Sequence, residues 1–406
     1  MLTPHSSVRA LLSAAWRRVR RPLWAVVVLL PAGNTPPDDR WTYLEIDNQK
    51  PMWGDYAGPN WLRYFGLDAG DLNGDGFPDV VSGRSVYFSP AGDLSGAWRK
   101  VDLGLNADGM LIMDVDGDAY GDLIAQALPD VYWFEATDRA GTAWRARKIG
   151  QIPATSHVNS QGFTRAQVVP GGREEFLIAG NGDIYLFEIP GRPERDDWKI
   201  TRVAVNTSDE GIGTGDIDGD GDLDLAAGRR PDGEGEPRVV VWFENPGTGG
   251  GDWPDHPLGE TNHPADRFGV ADLNGDGRPD VVVCEERYPG QEPDGNIFWY
   301  EQGATDTAAW TRHWVVTQYS SNNLSLCDID GDGDVDLLTS EHKGPDPKLQ
   351  LWRNDGTGGF TETVLDRGKE SHLGTLTVDM DGDGDLDIIS AGWDHHQYVH
   401  LWRNDG

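Results

Sequence analysis

The stretch Asp379-Met-Asp381-Gly-Asp383-Gly-Asp385-Leu-Asp387, followed at once by Ile388, Ile389 and Ser390, decides how the rest of the chain reads. Five acidic side chains in nine residues repel one another unless something positive holds them. Oxygens at loop positions one, three, five and nine, a backbone carbonyl at seven and a glycine at six match the first nine places of a calcium loop. Ligation by oxygen alone points to a hard ion and away from zinc or copper. A helix-flanked calcium loop would carry a bidentate Glu at its twelfth place, where Ser390 stands. The flanking Leu376, Val378, Ile388 and Ile389 read as strands. The expectation is a β-hairpin turn clasped by calcium, with Asp387 as the closing ligand.

The loop recurs five times. Its four side-chain ligands are Asp71, Asn73, Asp75 and Asp79 in the first copy, then Asp114, Asp116, Asp118 and Asp122, then Asp216, Asp218, Asp220 and Asp224. Asp272, Asn274, Asp276 and Asp280 follow, then Asp328, Asp330, Asp332 and Asp336, and last Asp379, Asp381, Asp383 and Asp387. Up to six structural calcium ions are expected. A seventh copy, Gln167 to Glu175, has lost the polar positions but keeps the strand after it, since Phe176-Leu-Ile-Ala-Gly aligns with Ile388-Ile-Ser-Ala-Gly. No ion is expected there.

Counting from the first residue of each loop, the seven copies begin at 71, 114, 167, 216, 272, 328 and 379. A period near fifty with several short strands per unit means a propeller blade. One strand runs into each loop and a second, continuously apolar, leaves it, as in Asp280-Val-Val-Val-Cys284. A third ends in aromatics, as in Val240-Val-Trp-Phe243, and a fourth begins with one: Trp98, Trp144, Trp198, Trp253, Trp310 or Phe360. Seven third strands have only six fourth strands after them. Trp41-Thr-Tyr-Leu-Glu-Ile46 has the missing pattern and is expected to close the last blade beside Val399 to Trp402. The fold class is all-β: a seven-bladed propeller of four-stranded blades over 41–406.

Residues 1–40 stand apart. Arg17, Arg18, Arg20 and Arg21 precede the short apolar run Leu23 to Leu30 and then Pro31-Ala-Gly33, as in a secretory signal. The run is too short to span a bilayer, so no transmembrane segment is expected. Export, to the periplasm or the outside, agrees with reliance on calcium, and a monomer is expected. The net charge of −34 argues against nucleic acid and anionic membranes as partners, which need a basic face. Cys284 and Cys327 lie at opposite ends of their strands, and no disulfide is expected between them.

Phe268-Gly-Val-Ala-Asp-Leu-Asn-Gly-Asp-Gly-Arg-Pro-Asp280 and the turn Trp242-Phe-Glu-Asn-Pro-Gly247 resemble the FG-GAP/VCBS repeat family, the calcium-binding propellers of integrin-head type. The likeness covers essentially the whole chain after residue 40. It implies the fold and the ions but not an activity, since similar propellers serve integrin heads, fungal lectins, aldos-2-ulose dehydratase and some polysaccharide lyases.

The face opposite the calcium loops collects unusual residues. His157, His263 and His372 fall between fourth and first strands; Arg229, Glu285, Arg287, His342, Trp393, Asp394 and His395 fall between second and third strands. Trp53 and Trp61 precede the first blade and should meet Trp393 at the closing seam. Two functions fit. In one, Trp53, Trp61 and Trp393 stack on a carbohydrate or contact a protein ligand, with Asp394, His395, Glu285, His342, His157 and Arg229 around them. In the other, the chain is a polysaccharide lyase or sugar dehydratase, a carbon–oxygen lyase with His263 or His372 as base and Arg287 or Arg229 stabilising the enolate-like charge.

Overall fold

A strand covered on both faces should bury every residue, and the second strands do so except for the half-buried last residues Ala127 and Arg229. Asp280–Glu285, Asp336–Glu341 and Asp387–Gly392 are buried along their whole length. Fourth strands are outermost: Arg99–Asp102 and Thr311–Gln318 leave much of their length to solvent. The computed structural model of the chain describes residues 40–52, 63–118, 120–231, 237–305, 309–369, 372–393 and 395–406. The leader and Trp53, Trp61 and Asp394 lie outside the described residues.

Among the described residues the strands form seven four-stranded antiparallel sheets, six of them running first to fourth strand in chain order. Blade one begins at Leu67–Gly70 and blade six ends at Phe360–Arg367. Blade seven takes its fourth strand from the start of the chain: Trp41–Asp47 pairs with Val399–Asn404, Trp41 opposite Asn404 and Asp47 opposite Val399. The ring therefore closes by hydrogen bonds between its two ends and leaves no broken blade edge at the seam.

Apolar packing runs between blades as well as within them. Leu123 and Phe134 of blade two meet Val81 and Phe88 of blade one. Leu177 and Leu186 of blade three meet Leu225 and Val241 of blade four. Val80 and Tyr87 of blade one meet Ile389 and Leu401 of blade seven across the seam. The remaining blade neighbours share clusters of the same kind. Both cysteines are free and buried within these layers.

The strand order puts every first-to-second connection, and so every acidic loop, on one face. The second-to-third and fourth-to-first connections reach the other. There Tyr64, Phe65 and Leu373 form a small separate cluster with Trp393. Among the described residues no helix is long and apolar enough to cross a membrane.

Candidate functional site

The acidic loops repeat one geometry. Glycines at places four and six, the second of them replaced by alanine in the loop of Asp114, take positive φ, 72° and 93° for Gly74 and Gly76, a region open to residues without a Cβ. That turn aims their N–H groups at the first aspartate: Gly74 donates to Asp71 Oδ1 at 2.7 Å and Gly76 to Oδ2 at 2.8 Å. Gly275 and Gly277 do the same to Asp272, both at 2.8 Å. Acceptor oxygens then gather. Asp114, Asp116 and Asp122 each offer an oxygen, all within 4.8 Å of one another, as do Asp216, Asp218 and Asp224, Asp328, Asp330 and Asp332, and Asp379, Asp381 and Asp387. In the loops of Asp71 and Asp272 an amide oxygen of Asn73 or Asn274 takes the place of one carboxylate.

The aspartate at place nine has a second task. Asp224 Oδ2 accepts from Ile217 N–H at 2.8 Å, and its Oδ1 accepts from Asn245 N–H, just past the third strand, at 2.8 Å. Asp79, Asp280, Asp336 and Asp387 repeat the bracket, and in blade two Trp133 Nε1 replaces the second donor to Asp122. Burial pushes Asp79, Asp122 and Asp224 up to about 7, and Asp280, Asp336 and Asp387 up to about 6, with nearby loop aspartates adding to it. Sequence spacing alone did not single out Asn245 or Asn354. Each donates its amide to the loop of the preceding blade, Asn245 to Val168 O at 2.7 Å and Asn354 to Leu273 O at 2.9 Å. The asparagine two places after the aromatic end of the third strand in blades four, six and seven, Asn245, Asn354 and Asn404, was the available signal.

The degenerate third loop shows what the oxygens require. Glu175 keeps the loop side of the bracket, accepting from Val168 N–H at 3.0 Å. Gln167 Nε2 donates to Val169 O at 2.8 Å and Arg173 O at 3.3 Å, places three and seven, and lies 3.3 Å from Glu175 Oε2. The protein supplies its own donor where the acidic copies offer carboxylates. A hard cation fits the acidic copies for the same reason.

On the opposite face the histidines named from sequence part company. His157 reaches the mouth, its ring 6.1 Å from Phe65 and its Nδ1 3.8 Å from Glu210 Oε1; burial lowers its pKa. His342 is fully buried beside it, 6.1 Å from the Trp393 ring, and burial holds it neutral with a pKa of about 3. His263 instead bonds Pro293 O through Nε2 at 2.7 Å. His372 lies inside blade seven, with Nδ1 2.7 Å from Ser390 Oγ and its ring against Trp402.

Arg287 stacks 4.3 Å over Tyr319 and pairs with Glu292 at 2.7 Å and Asp294 at 3.1 Å. Glu285 accepts from Asn262 N–H and Asn296 Nδ2. Arg229 pairs with Asp255 at the blade edge, and His395 is exposed next to Tyr398. His263, His372 and Arg287 each have their own partners and are not brought together.

What the fold does bring together is Phe65 and Trp393, stacked at 6.4 Å and 11°, with Lys343 5.5 Å over the Trp393 ring. Beside them stand three buried carboxylates, Glu210, Asp266 and Glu286. Lys343 pairs with Glu286. Burial raises Asp266 well above the carboxylate range, and the charges of Glu210 and Glu286 raise it further. Glu286 is buried too, but a hydrogen bond from Asp266 and the charges of Lys343 and His342 hold it low.

Two cavities meet at Glu210: an axial channel of about 180 Å³ lined by Phe65, Gln161 and Leu373, and a cleft of about 160 Å³ lined by Asp266, Tyr288 and Arg230. Glu210 and Asp266 escaped the sequence reading. They stand six places before Asp216 and Asp272, the register that Phe65, Asp108, Gln161, Asn322 and Leu373 occupy in their own repeats. Reading that register across the blades would have found them.

A profile described as FG-GAP-like repeat matches residues 229–283 and 328–390. No curated protein sequence matches the chain. A chain in the crystal structure of BBS1N in complex with ARL6DN, soaked with mercury, is similar with a TM-score of 0.55 at 11% identity, covering 90% of this chain and 97% of that one. A chain of an Agrocybe aegerita lectin, in a structure addressing recognition of non-reducing terminal N-acetylglucosamine, gives a TM-score of 0.47 at 17% identity, covering 74% of this chain and 79% of that one. The chain is a seven-bladed β-propeller that carries FG-GAP-like repeats.

Proposed function

We propose that this propeller is an exported, monomeric recognition module. Calcium in the six acidic loops stiffens it, and it takes a carbohydrate at the axial mouth of the opposite face. The observation that carries this reading is the Phe65–Trp393 ring pair. Phe65 lines the axial channel, His157 stands beside it, and Lys343 lies over the rings of both Trp393 and Tyr288. A half-buried Trp beside hydrogen-bonding charges suits a sugar, whose C–H face is apolar and whose hydroxyls are polar.

The calcium part is supported by the convergence of acidic oxygens and by the Gln167 amide that stands in for a cation in the third loop. Export rests on the basic and apolar leader and is checked by N-terminal sequencing of protein recovered outside the producing cell.

A glycan array with the calcium-loaded protein tests the ligand. Retention of a defined set of sugars should fall by about tenfold in Trp393→Ala, the scale of about 1–3 kcal/mol that one buried apolar contact supplies. A protein that retains no glycan, or whose retention is unchanged by Trp393→Ala at an unaltered melting temperature, would remove the mouth as a sugar site.

A further inference from the structure

The carboxylates come from Glu210, three residues before the first strand of blade four, Asp266, in the first strand of blade five, and Glu286, directly after the second strand of blade five. One oxygen of each lies within 4.8 Å of the others, and all three residues are buried. Three carboxylates out of water need opposite charge or donors. Lys343 meets Glu286. Arg267 stands 3.9 Å from Glu210 Oε2 but gives its short bond to Glu210 O, and His157 is 3.8 Å from Glu210 Oε1.

Polar atoms are left over after these contacts. Asp266 Oδ2 is buried with no hydrogen-bond partner. His342 is fully buried and has no hydrogen bond at Nδ1 or Nε2, although Nε2 points to the cluster, 3.5 Å from Glu286 Oε1. Asn322 gives its amide N–H to Glu210 Oε2 at 3.4 Å and leaves its own oxygen, also buried, without a donor. Leaving such groups unpaired and out of water is costly, so something besides protein should meet them.

We propose that Glu210, Asp266, Glu286 and His342 form a second kind of metal site, for one divalent first-row transition ion, at the floor of the mouth. Ligands on opposite sides of such an ion, at about 2.0–2.2 Å each, lie about 4 Å apart, close to the span of these oxygens. Carboxylates with one imidazole, and no thiolate, suit manganese, iron or zinc. The six acidic loops offer oxygen only, so the imidazole separates this site chemically from theirs. Glu210 borders both the channel and the cleft, which gives the ion an entry path. The site stands independently of the carbohydrate reading, and its test needs no sugar.

The experiment titrates Mn²⁺ into the full chain in excess calcium, which occupies the acidic loops, and records pulsed electron paramagnetic resonance together with bound-metal counts. The expected result is one Mn²⁺ per chain with a ¹⁴N coupling from an imidazole. Affinity should drop about tenfold or more in Asp266→Asn and Glu286→Gln. In His342→Gln the ion should stay, bound more weakly, without the nitrogen coupling. Variant folding is checked by the calcium-dependent melt, and Glu210→Gln serves if one variant fails to fold. Absence of calcium-resistant Mn²⁺ and Zn²⁺ binding, or a bound ion with no nitrogen coupling in the parent protein, would overturn the proposal.

Discussion

A carboxylate that accepts two backbone N–H groups in a buried place cannot be removed cheaply. Asp224→Ala takes away the acceptor for Ile217 and Asn245 at once. Each orphaned N–H costs about 1–3 kcal/mol. The melting temperature should therefore fall by several degrees even in chelator, where no ion contributes; a loss seen only in calcium would make Asp224 a ligand and nothing more. At this scale legibility follows distance along the chain. The loop ligands could be read because all lie within nine residues. His342 was placed on the face opposite them, but Glu210 and Asp266 went unread because they stand in different blades and only the register shared by the repeats marks them. His263 lies on the connection expected of it, whereas His372 opens the first strand of blade seven, and the sequence did not reveal the Pro293 carbonyl and Ser390 hydroxyl that hold them.

The acidic loop behaves as a unit in its response to pH. Burial raises its ninth aspartate to about 7 in the loops ending at Asp79, Asp122 and Asp224, and to about 6 in those ending at Asp280, Asp336 and Asp387. The unfolded value is near 3.9. A folded pKa above the unfolded one contributes stability that is full below about pH 4 and is lost as pH rises through 6 to 7. Ion-free protein should thus melt lower at pH 8 than at pH 5, and added calcium should raise the melt more at pH 8. An ion-free melt that climbs across this range would contradict that assignment. The hairpin itself was legible from the glycines and the flanking apolar runs. The amide clasps of Asn245 and Asn354 between blades were not, because their acceptors belong to neighbouring repeats.

For the whole molecule, closure depends on one strand. Removing Trp41–Asp47 exposes the backbone edge of Val399–Asn404 and takes away Ile46, uncovering Val80 and Leu401, which share its buried cluster. The shortened chain should lose cooperative melting and associate through the open edge, read by light scattering; a monomeric, normally melting product would show the seam to be dispensable. The blade number and the swapped strand were readable because a count of seven third strands against six fourth strands leaves one solution. The ring's mouth was readable only as a place, its chemistry being assembled from several blades.

The most direct test of the calcium-clasped propeller is a calcium count by equilibrium dialysis, with melting followed in parallel. Six ions per chain are expected, from the six acidic loops, with none at Gln167–Glu175. Saturation at about 100 times the dissociation constant contributes about 2.7 kcal/mol per site, so chelation should lower the melting temperature by many degrees. A chain that binds no calcium, or melts identically in calcium and in chelator, would contradict the account.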